Sequence, residues 1–308
     1  MKITIIITSL FFILTSCSNQ KRKIDSNEFD KVASLSNWQI SSAKNLVNNK
    51  GLLNVESILY DKANQVFYAT NGIHYKVGEN GFISKISKNG DLLELKWITG
   101  LNRPTGMAIH NSILYVADVN SLVLINTKTG KIIERFLEPT ANSGLNDVAI
   151  NKKGEIYVSA SFIHSILKLN KGRLEIWLKE EEKLKWANGL IAEDKQIVVA
   201  GLDLSSINID SKQVTRIALN SSVKDFDGIA PDGLGGYFLT TVENSSLFYF
   251  DGQNSIYKLM EDSAYFGDIT FNSNLKKLYA PRGEKTTSEF FITEFKMEQR
   301  SLTKNKPH

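Results

Sequence analysis

The chain has 308 residues, 42% of them hydrophobic and 23% charged, with a formal net charge of +4. This balance is typical of a globular protein rather than a disordered one, and the mixed signs of charge leave no basic stripe for nucleic acid. A single cysteine excludes a scaffold held together by internal disulfides.

Residues 1–16 predict a secretory signal peptide. One early Lys2 precedes an apolar run, Ile3 to Leu14, that is too short to span a bilayer as a mature helix. The run ends in Leu14-Thr15-Ser16-Cys17, which resembles the lipobox of bacterial lipoproteins, where the cysteine becomes the lipidated amino terminus. The resemblance implies acyl chains on Cys17 and a lipid anchor in the bacterial cell envelope, on the periplasmic side or in the outer membrane. An uncleaved membrane anchor with an incidental cysteine is the alternative.

The polar residues 17–36 predict a flexible tether. Its basic cluster, Lys21-Arg22-Lys23, fits a solvated tether or a contact with lipid headgroups. We expect one globular body over residues 37–300 and a disordered tail over 301–308. No heptad pattern and no large apolar stripe occur in the sequence, so a monomer is expected.

A degenerate hairpin pattern recurs six times after the tether. Its clearest copy runs from Asp227 to Thr240, with a polar residue beside a small one, an apolar pair, a polar turn and a second apolar run. The other copies begin at Glu56, Thr105, Asn146, Asn188 and Gly267. A period of roughly forty residues with strands inside it is typical of propeller blades.

Each repeat continues with two more strand-like runs, as at Leu122–Asn126 and Lys131–Phe136. The chain therefore predicts an all-β protein, a six-bladed β-propeller of four-stranded antiparallel blades. We expect the run at Asn37–Ile40 or the run at Phe290–Phe295 to complete a blade with the opposite terminus, which would remove an exposed edge. The segment Leu46–Gly51 is predicted to be a loop or a short turn.

The first residue of each repeat would lie at one mouth of the central channel, because all the innermost strands begin at the same face. Four of these residues carry side-chain oxygen atoms: Glu56, Asn146, Asn188 and Asp227. Such atoms are hard ligands suited to Ca²⁺ or another divalent cation, and two carboxylates at the end of a narrow channel would repel without one. The same residue types are also common in turns, and Ser57, Asp147 and Asp268 of the neighbouring column equally fit turn hydrogen bonds.

Four segments of this column resemble the signature segments of the SMP-30/gluconolactonase/LRE family of regucalcin-like six-bladed propellers. They are Glu56-Ser57, Asn146-Asp147, Asn188-Gly189-Leu190 and Asp227-Gly228-Ile229, in the order of the family and within roughly residues 52–298. The resemblance implies one divalent metal ion, held by Glu56, Asn146, Asn188 and Asp227, and hydrolysis of a sugar lactone. Ca²⁺ is the expected ion, with Zn²⁺, Mn²⁺ and Mg²⁺ as alternatives. Asp227 would also be the catalytic general base.

One position departs from the family pattern. Family members carry an arginine and an aromatic residue directly before the third-blade asparagine, and the arginine holds the substrate, whereas this chain has Gly144-Leu145. Arg103, which enters the mouth from the second blade, is a candidate replacement, with Thr105 beside it; their segment also resembles the ordinary blade start of NHL-type repeats. His74 and His164, in loops between second and third strands, are further candidate substrate contacts or simply surface histidines. No Gly-x-Ser-x-Gly motif competes for the catalytic role.

Two functions remain open from the sequence. The first is a metal-dependent hydrolase of a lactone or a similar small ester, in which the cation activates water at the mouth. The second is a non-catalytic, envelope-anchored propeller that binds a glycan, a peptide or a protein partner around a structural cation. The retained Asp227 favours the enzyme, and the missing arginine favours the binding protein.

Overall fold

The computed structural model describes residues 36–300 with the exception of Asn49, Glu79 and Lys285. This part of the chain forms six antiparallel sheets around a central channel, and its only helical turn is a 3₁₀ turn at Ser161–Ile163. The predicted six-bladed β-propeller is confirmed. Within the same residues no helix is long and apolar enough to cross a membrane. The signal peptide, Cys17, the tether and the tail lie outside the described residues.

Five blades each consist of four consecutive strands, ordered from the channel outward. Blade one has β2 (Ile58–Asp61), β3 (Val66–Asn71), β4 (Gly81–Ser87) and β5 (Leu92–Leu101), and blade two has β6 (Pro104–His110), β7 (Ile113–Asp118), β8 (Ser121–Asn126) and β9 (Lys131–Leu137). Blade three has β10 (Leu145–Ile150), β11 (Ile156–Ala160), β12 (Ser165–Asn170) and β13 (Arg173–Lys179). Blade four has β14 (Leu190–Ala192), β15 (Gln196–Val199), β16 (Ser205–Asn208) and β17 (Val214–Arg216), and blade five has β18 (Phe226–Pro231), β19 (Tyr237–Thr241), β20 (Ser246–Phe250) and β21 (Ile256–Glu261).

Blade six closes the ring with both ends of the described chain. Its strands are β22 (Tyr265–Phe266) and β23 (Thr270–Asn272), which share the innermost place, then β24 (Lys277–Glu284), β25 (Glu289–Gln299) and β1 (Trp38–Asn48). β1 pairs antiparallel with β25, so Trp38 lies opposite Gln299 and Asn48 opposite Phe291. The expected closure is confirmed, because the two candidate runs pair with each other.

β1 also corrects one expectation about its own end. The strand continues to Asn48, so the predicted loop at Leu46–Gly51 is wrong for its first three residues. The physical reason is the burial of Val47, which is 1% exposed and packs with Phe290 and Ile292. The apolar pair Leu46-Val47 is too short to show strand periodicity by itself, and only the partner strand makes it a strand.

The hydrophobic core is divided among the blade interfaces. Six apolar clusters occur, each built from two neighbouring blades; for example, Tyr68 and Ile83 of blade one pack with Met107 and Val116 of blade two. All six residues of β3 are buried, because both faces of a middle strand contact an adjacent blade. This arrangement explains why the middle strands have continuous apolar runs rather than alternating ones.

The two ends of the channel differ in what lies there. The innermost strands begin at the mouth, and the hairpins that join first to second strands lie at the opposite end. At that opposite end Trp38 Nε1 donates to Asp232 Oδ2 over 3.2 Å, and the same oxygen accepts the Tyr249 hydroxyl over 2.9 Å. The described chain therefore enters the propeller at the end away from the mouth.

Candidate active site at the channel mouth

Three of the four predicted metal ligands are neighbours at the mouth. Asn188 Nδ2 donates to Asp227 Oδ1 over 2.7 Å, and the Glu56 carboxylate is near enough to raise the pKa of Asp227. Asn146 is half-buried where the innermost strand of blade three begins, beside the blade that carries Asn188. We call Glu56, Asn146, Asn188 and Asp227 the upper layer.

Arg103 lies in the mouth and binds the upper layer through Glu56. Its Nη2 donates to Glu56 Oε2 over 2.8 Å and to the Asn54 carbonyl over 3.1 Å, and its Nη1 donates to the Pro104 carbonyl over 2.9 Å. The side chain is only 4% exposed, which requires that its charge be paired. Arg103 therefore fixes the position of the Glu56 carboxylate.

Asp227 has the electrostatic environment of a proton-accepting group. It is 6% exposed, and burial raises its pKa well above the usual value, with Glu56 and Asp268 adding to the rise. The hydrogen bond from Asn188 acts in the opposite direction but does not cancel the effect. The carboxyl thus takes up a proton more readily than an ordinary aspartate.

A second pair of acids, Asp147 and Asp268, directly follows the first residue of the repeat in blades three and six; we call it the lower layer. Asp147 Oδ2 accepts the Leu190 N–H over 2.7 Å, and Asp268 Oδ2 accepts the Ser57 hydroxyl over 2.8 Å, so each acid is bonded to the next blade. Each also accepts the N–H of the residue that follows it. Burial raises the pKa of Asp147 to about 7, and burial followed by the charge of Asp147 raises the pKa of Asp268 well above its usual value.

Glycines in the preceding blades make room for the lower layer. A Cβ atom on Gly106 would lie 2.0 Å from Asp147 Oδ1, and one on Gly228 would lie 2.6 Å from Asp268 Cα. The second residue of the repeat is therefore glycine in blades two and five and aspartate in blades three and six. This alternation is the signal in the sequence that could have identified the lower layer.

The structure places the other predicted contacts in different surroundings. Thr105 is buried, and its hydroxyl donates to the Asn146 carbonyl over 2.6 Å. His74 is exposed in the loop between β3 and β4. His164 follows the 3₁₀ turn, and its Nδ1 lies 3.2 Å from the Trp186 backbone nitrogen.

Two tyrosines at the mouth were missed by the sequence reasoning. Tyr75, next to His74, turns inward and donates its hydroxyl to the Leu145 carbonyl. Tyr265 donates to the Val55 carbonyl over 3.0 Å. Leu145 and Val55 directly precede Asn146 and Glu56, so both phenols lie beside the upper layer. Burial, followed by the charge of Glu56, raises the pKa of both.

The oxygen atoms of the upper layer are of the kind that hard divalent cations bind. Glu56 and Asp227 supply carboxylate oxygens, and Asn146 and Asn188 supply amide oxygens. Arg103 engages Glu56 Oε2, which leaves Oε1 for a cation, and a half-turn of the Asn188 amide would exchange its nitrogen for its oxygen. Among residues 36–300, no group of three or more histidine, cysteine, aspartate or glutamate side chains is arranged to hold a metal ion, so a site here depends on the amides.

Below the upper layer the channel contains a cavity of about 400 Å³. Asp147 and Asp268 line it together with apolar residues of the innermost strands, such as Ile58, Val148 and Ile229. The polar groups are thus concentrated at one end of a mostly apolar tube, where a small ligand would meet them.

No protein-family model and no curated protein matches the chain. Several solved structures do match the chain. The chain is similar to a gluconolactonase from Xanthomonas campestris, with 12% identity, a TM-score of 0.62, and coverage of 85% of this chain and 96% of that one. It is also similar to a luciferin-regenerating enzyme, with 11% identity, a TM-score of 0.62, and coverage of 82% and 94%. A virginiamycin B lyase from Staphylococcus aureus, solved with quinupristin, has 12% identity, a TM-score of 0.60, and coverage of 84% and 99%. At these identities the similarity shows a shared fold and no more.

Proposed function

We propose that the protein is a metal-dependent hydrolase of a lactone or a similar small ester, with its active site at the channel mouth. The observation that carries this proposal is the environment of Asp227, a buried carboxyl with a raised pKa that Asn188 holds beside Glu56. A base with these properties, among oxygen ligands and at the end of a channel, is what hydrolysis of a small ester requires. The gluconolactonase among the structural neighbours supports the same reaction class.

In the proposed reaction a water oxygen attacks the carbonyl carbon of the lactone while Asp227 accepts a proton from that water. The ring C–O bond then breaks, the proton returns from Asp227 to the leaving alkoxide, and the product is a hydroxy acid. Asp227 can serve both transfers, because a carboxylate accepts a proton and the resulting acid can return it. Asn188 orients Asp227, and Arg103 orients Glu56. A bound divalent cation, held by the upper layer, would polarise the carbonyl and lower the pKa of the water.

The ion pair between Arg103 and Glu56 favours a second candidate function. Because it already neutralises one carboxylate of the upper layer, the mouth is also suited to a non-catalytic propeller. Such a protein would be anchored in the envelope, hold a structural cation and bind a glycan, a peptide or a protein partner. Under this alternative the Asp227→Asn substitution changes binding or stability only.

Isothermal titration of chelator-treated protein with Ca²⁺, Mg²⁺, Mn²⁺ and Zn²⁺ tests the metal site. We expect saturable binding of one ion by the wild type and its loss in both Glu56→Gln and Asp227→Asn. Asp210→Asn is the matched control, since Asp210 is exposed in a turn at the opposite end of the propeller. A panel of lactones, assayed with the ion that binds, then tests the activity. A wild type that binds none of the four ions would exclude the metal-dependent hydrolase.

We also propose that Cys17 carries the lipid that tethers the propeller to the envelope. The lipobox-like segment supports this, and a Cys17→Ala variant is expected to move from the membrane fraction to the soluble fraction. Mass spectrometry of the wild type should find acyl chains on Cys17. Recovery of an acylated Cys17→Ala variant from membranes would contradict the assignment.

A further inference from the structure

A band of aromatic side chains leads outward from the upper layer on one side of the mouth. Tyr75 contacts Phe162, with ring centroids 5.5 Å apart, and Phe162 contacts Trp186, with centroids 6.2 Å apart. Phe162 is 51% exposed and Trp186 is 46% exposed. We call these three residues the aromatic rim. Large aromatic side chains exposed together beside a polar site are typical of a ligand-binding surface.

The inner end of the aromatic rim is part of the candidate active site. The Tyr75 hydroxyl donates to the carbonyl of Leu145, the residue directly before Asn146. The Tyr75 ring is therefore fixed at the edge of the upper layer, and Phe162 and Trp186 extend the same surface away from it. If the reactive carbonyl of a molecule lies at the upper layer, the substituent attached next to that carbonyl would contact these rings.

The outer end of the aromatic rim is Trp186, whose backbone has an unusual conformation. Trp186 has a φ of +54°, in the left-handed region that a bulky side chain rarely adopts. Its N–H lies against His164 Nδ1, and the carbonyl of Ala187 accepts the Ser161 hydroxyl over 2.6 Å. The indole packs against Phe162 and His164 and is still half-exposed, so part of its surface remains open to a ligand.

The middle of the aromatic rim lies over a residue without a side chain. Gly144 has a φ of +69°, and a Cβ atom on it would come within 2.7 Å of the Phe162 ring. The ring therefore covers the position from which a side chain two residues before Asn146 would project. A phenylalanine ring makes no conventional hydrogen bond, so this part of the mouth offers nothing to select a hydroxyl or a carboxylate.

The relative orientation of the rings indicates the shape of the ligand. The planes of Tyr75 and Phe162 meet at 69°, and those of Phe162 and Trp186 meet at 84°. Perpendicular rings form corners rather than one flat platform, and corners suit an alkyl chain or the edge of an aryl ring. Of the polar groups of the rim, the Tyr75 hydroxyl is already bonded to Leu145, which leaves the indole N–H of Trp186 as its one side-chain donor.

We propose that the aromatic rim binds an apolar alkyl or aryl substituent, so that the substrate is a hydrophobic lactone or ester rather than a hydroxyl-rich sugar lactone. This inference rests on the proposed hydrolase function for the reacting carbonyl. Phe162 and Trp186 are its specificity-determining residues. Neither touches the upper layer, so their removal leaves the reacting groups in place.

The test is a series of γ-lactones with unbranched substituents from methyl to octyl, assayed with the full chain. We expect kcat/KM to rise about twofold to fourfold for each added CH₂ until the rim is covered, the gain that burial of a methylene supplies. Phe162→Ala and Trp186→Ala should each lower kcat/KM for the octyl lactone at least about fivefold and leave the methyl lactone within about twofold. Leu234→Ala is the matched control, since Leu234 is 70% exposed on a hairpin at the opposite end.

Calorimetric titration with the matching 5-alkyl-2-pyrrolidinones, which are stable lactams, separates this inference from the proposed function. Turnover of every lactone without dependence on chain length would leave the hydrolase standing and overturn the role of the rim. Lactam binding that strengthens with chain length and weakens in Trp186→Ala, together with no turnover of any lactone, would support the rim and overturn the hydrolase. Equal chain-length dependence in the two rim variants and the Leu234→Ala control would also overturn the role of the rim.

Discussion

The upper and lower layers of the mouth contain the same kinds of acid, and they differ in what their oxygen atoms contact. The lower-layer carboxylates of Asp147 and Asp268 bond to the Leu190 N–H and to the Ser57 hydroxyl of the next blade. The upper-layer carboxylates bond to the ends of side chains, Glu56 to Arg103 and Asp227 to Asn188. Contacts in both layers join neighbouring blades, but those of the upper layer are made to side chains rather than to the backbone or a short hydroxyl.

This difference teaches how to separate structural from reactive acids in a symmetric ring. An acid whose two oxygens are taken by neighbouring backbone or by a short hydroxyl is part of the frame, however strongly burial shifts its pKa. An acid held by another side chain can bind a ligand through its remaining oxygen while the backbone bonds of the frame stay intact. Substitutions in the two layers should therefore affect different quantities.

The largest expected effect is on activity, in the upper layer. Asp227→Asn removes the general base and should lower kcat about 100-fold to 10,000-fold, with the midpoint of unfolding close to that of the wild type. The control is Asp147→Asn, which should change stability more than kcat. A kcat within about threefold of the wild type would remove Asp227 from the reaction.

The next effect is on stability, through the pKa of the lower layer. Burial raises the pKa of Asp147 to about 7 from the usual value of 3.8. At any pH between these two values, the folded state holds a proton on Asp147 that the unfolded state has lost. The free energy of unfolding should therefore decrease as the pH rises from about 4 to about 7, by a few kcal/mol, and change little above that for this group. Urea unfolding of chelator-treated protein across this range measures the decrease.

The matched variant for that measurement is Asp147→Asn, which cannot ionise at this position. Its free energy of unfolding should fall less steeply over the same pH range, although one of the two N–H groups that face Asp147 loses its acceptor. An identical slope in the variant and the wild type would show that other groups produce the pH dependence.

A smaller effect is expected from the ion pair that holds Glu56. Arg103→Met should lower the free energy of unfolding by about 2 kcal/mol, less than for a fully buried pair, because the Glu56 side chain is 26% exposed. Adding Glu56→Gln should restore part of the loss, since no unpaired charge then remains in the mouth. Additive losses in the double variant would mean that the two residues do not interact.

The smallest effect should come from the hydroxyl that joins blade one to blade six. Ser57→Ala removes the donor to Asp268 Oδ2 and should cost about 1 kcal/mol of stability, with kcat unchanged. Thermal unfolding and the lactone assay together measure both quantities. A larger loss of kcat than of stability would place Ser57, and with it the lower layer, in the reaction.

The sequence predicted the fold well because each blade repeats a local pattern. A hairpin such as Asp227–Thr240 is recognisable from its turn and its apolar runs, and the number of copies gives the number of blades. The end of β1 at Asn48 was not predicted, because that part of the strand depends on packing against β25 and has no local signal.

The candidate site was predictable only where its residues share a column. Glu56, Asn188 and Asp227 have equivalent positions in their repeats, and symmetry brings them together. Tyr75 reaches the mouth from a polar loop and carries no repeat signal, so the neighbouring His74 was chosen instead. The partner of Glu56 is Arg103, 47 residues away, and only the closed ring shows that the two meet.

The contact between Trp38 and Asp232 fixes where the described chain begins. The indole is bonded at the end of the channel opposite the mouth, so Ser36, two residues earlier, belongs to that end. A tether attached through Ser36 would therefore join the propeller away from the mouth and its aromatic rim, and the attachment itself would leave the candidate active site uncovered.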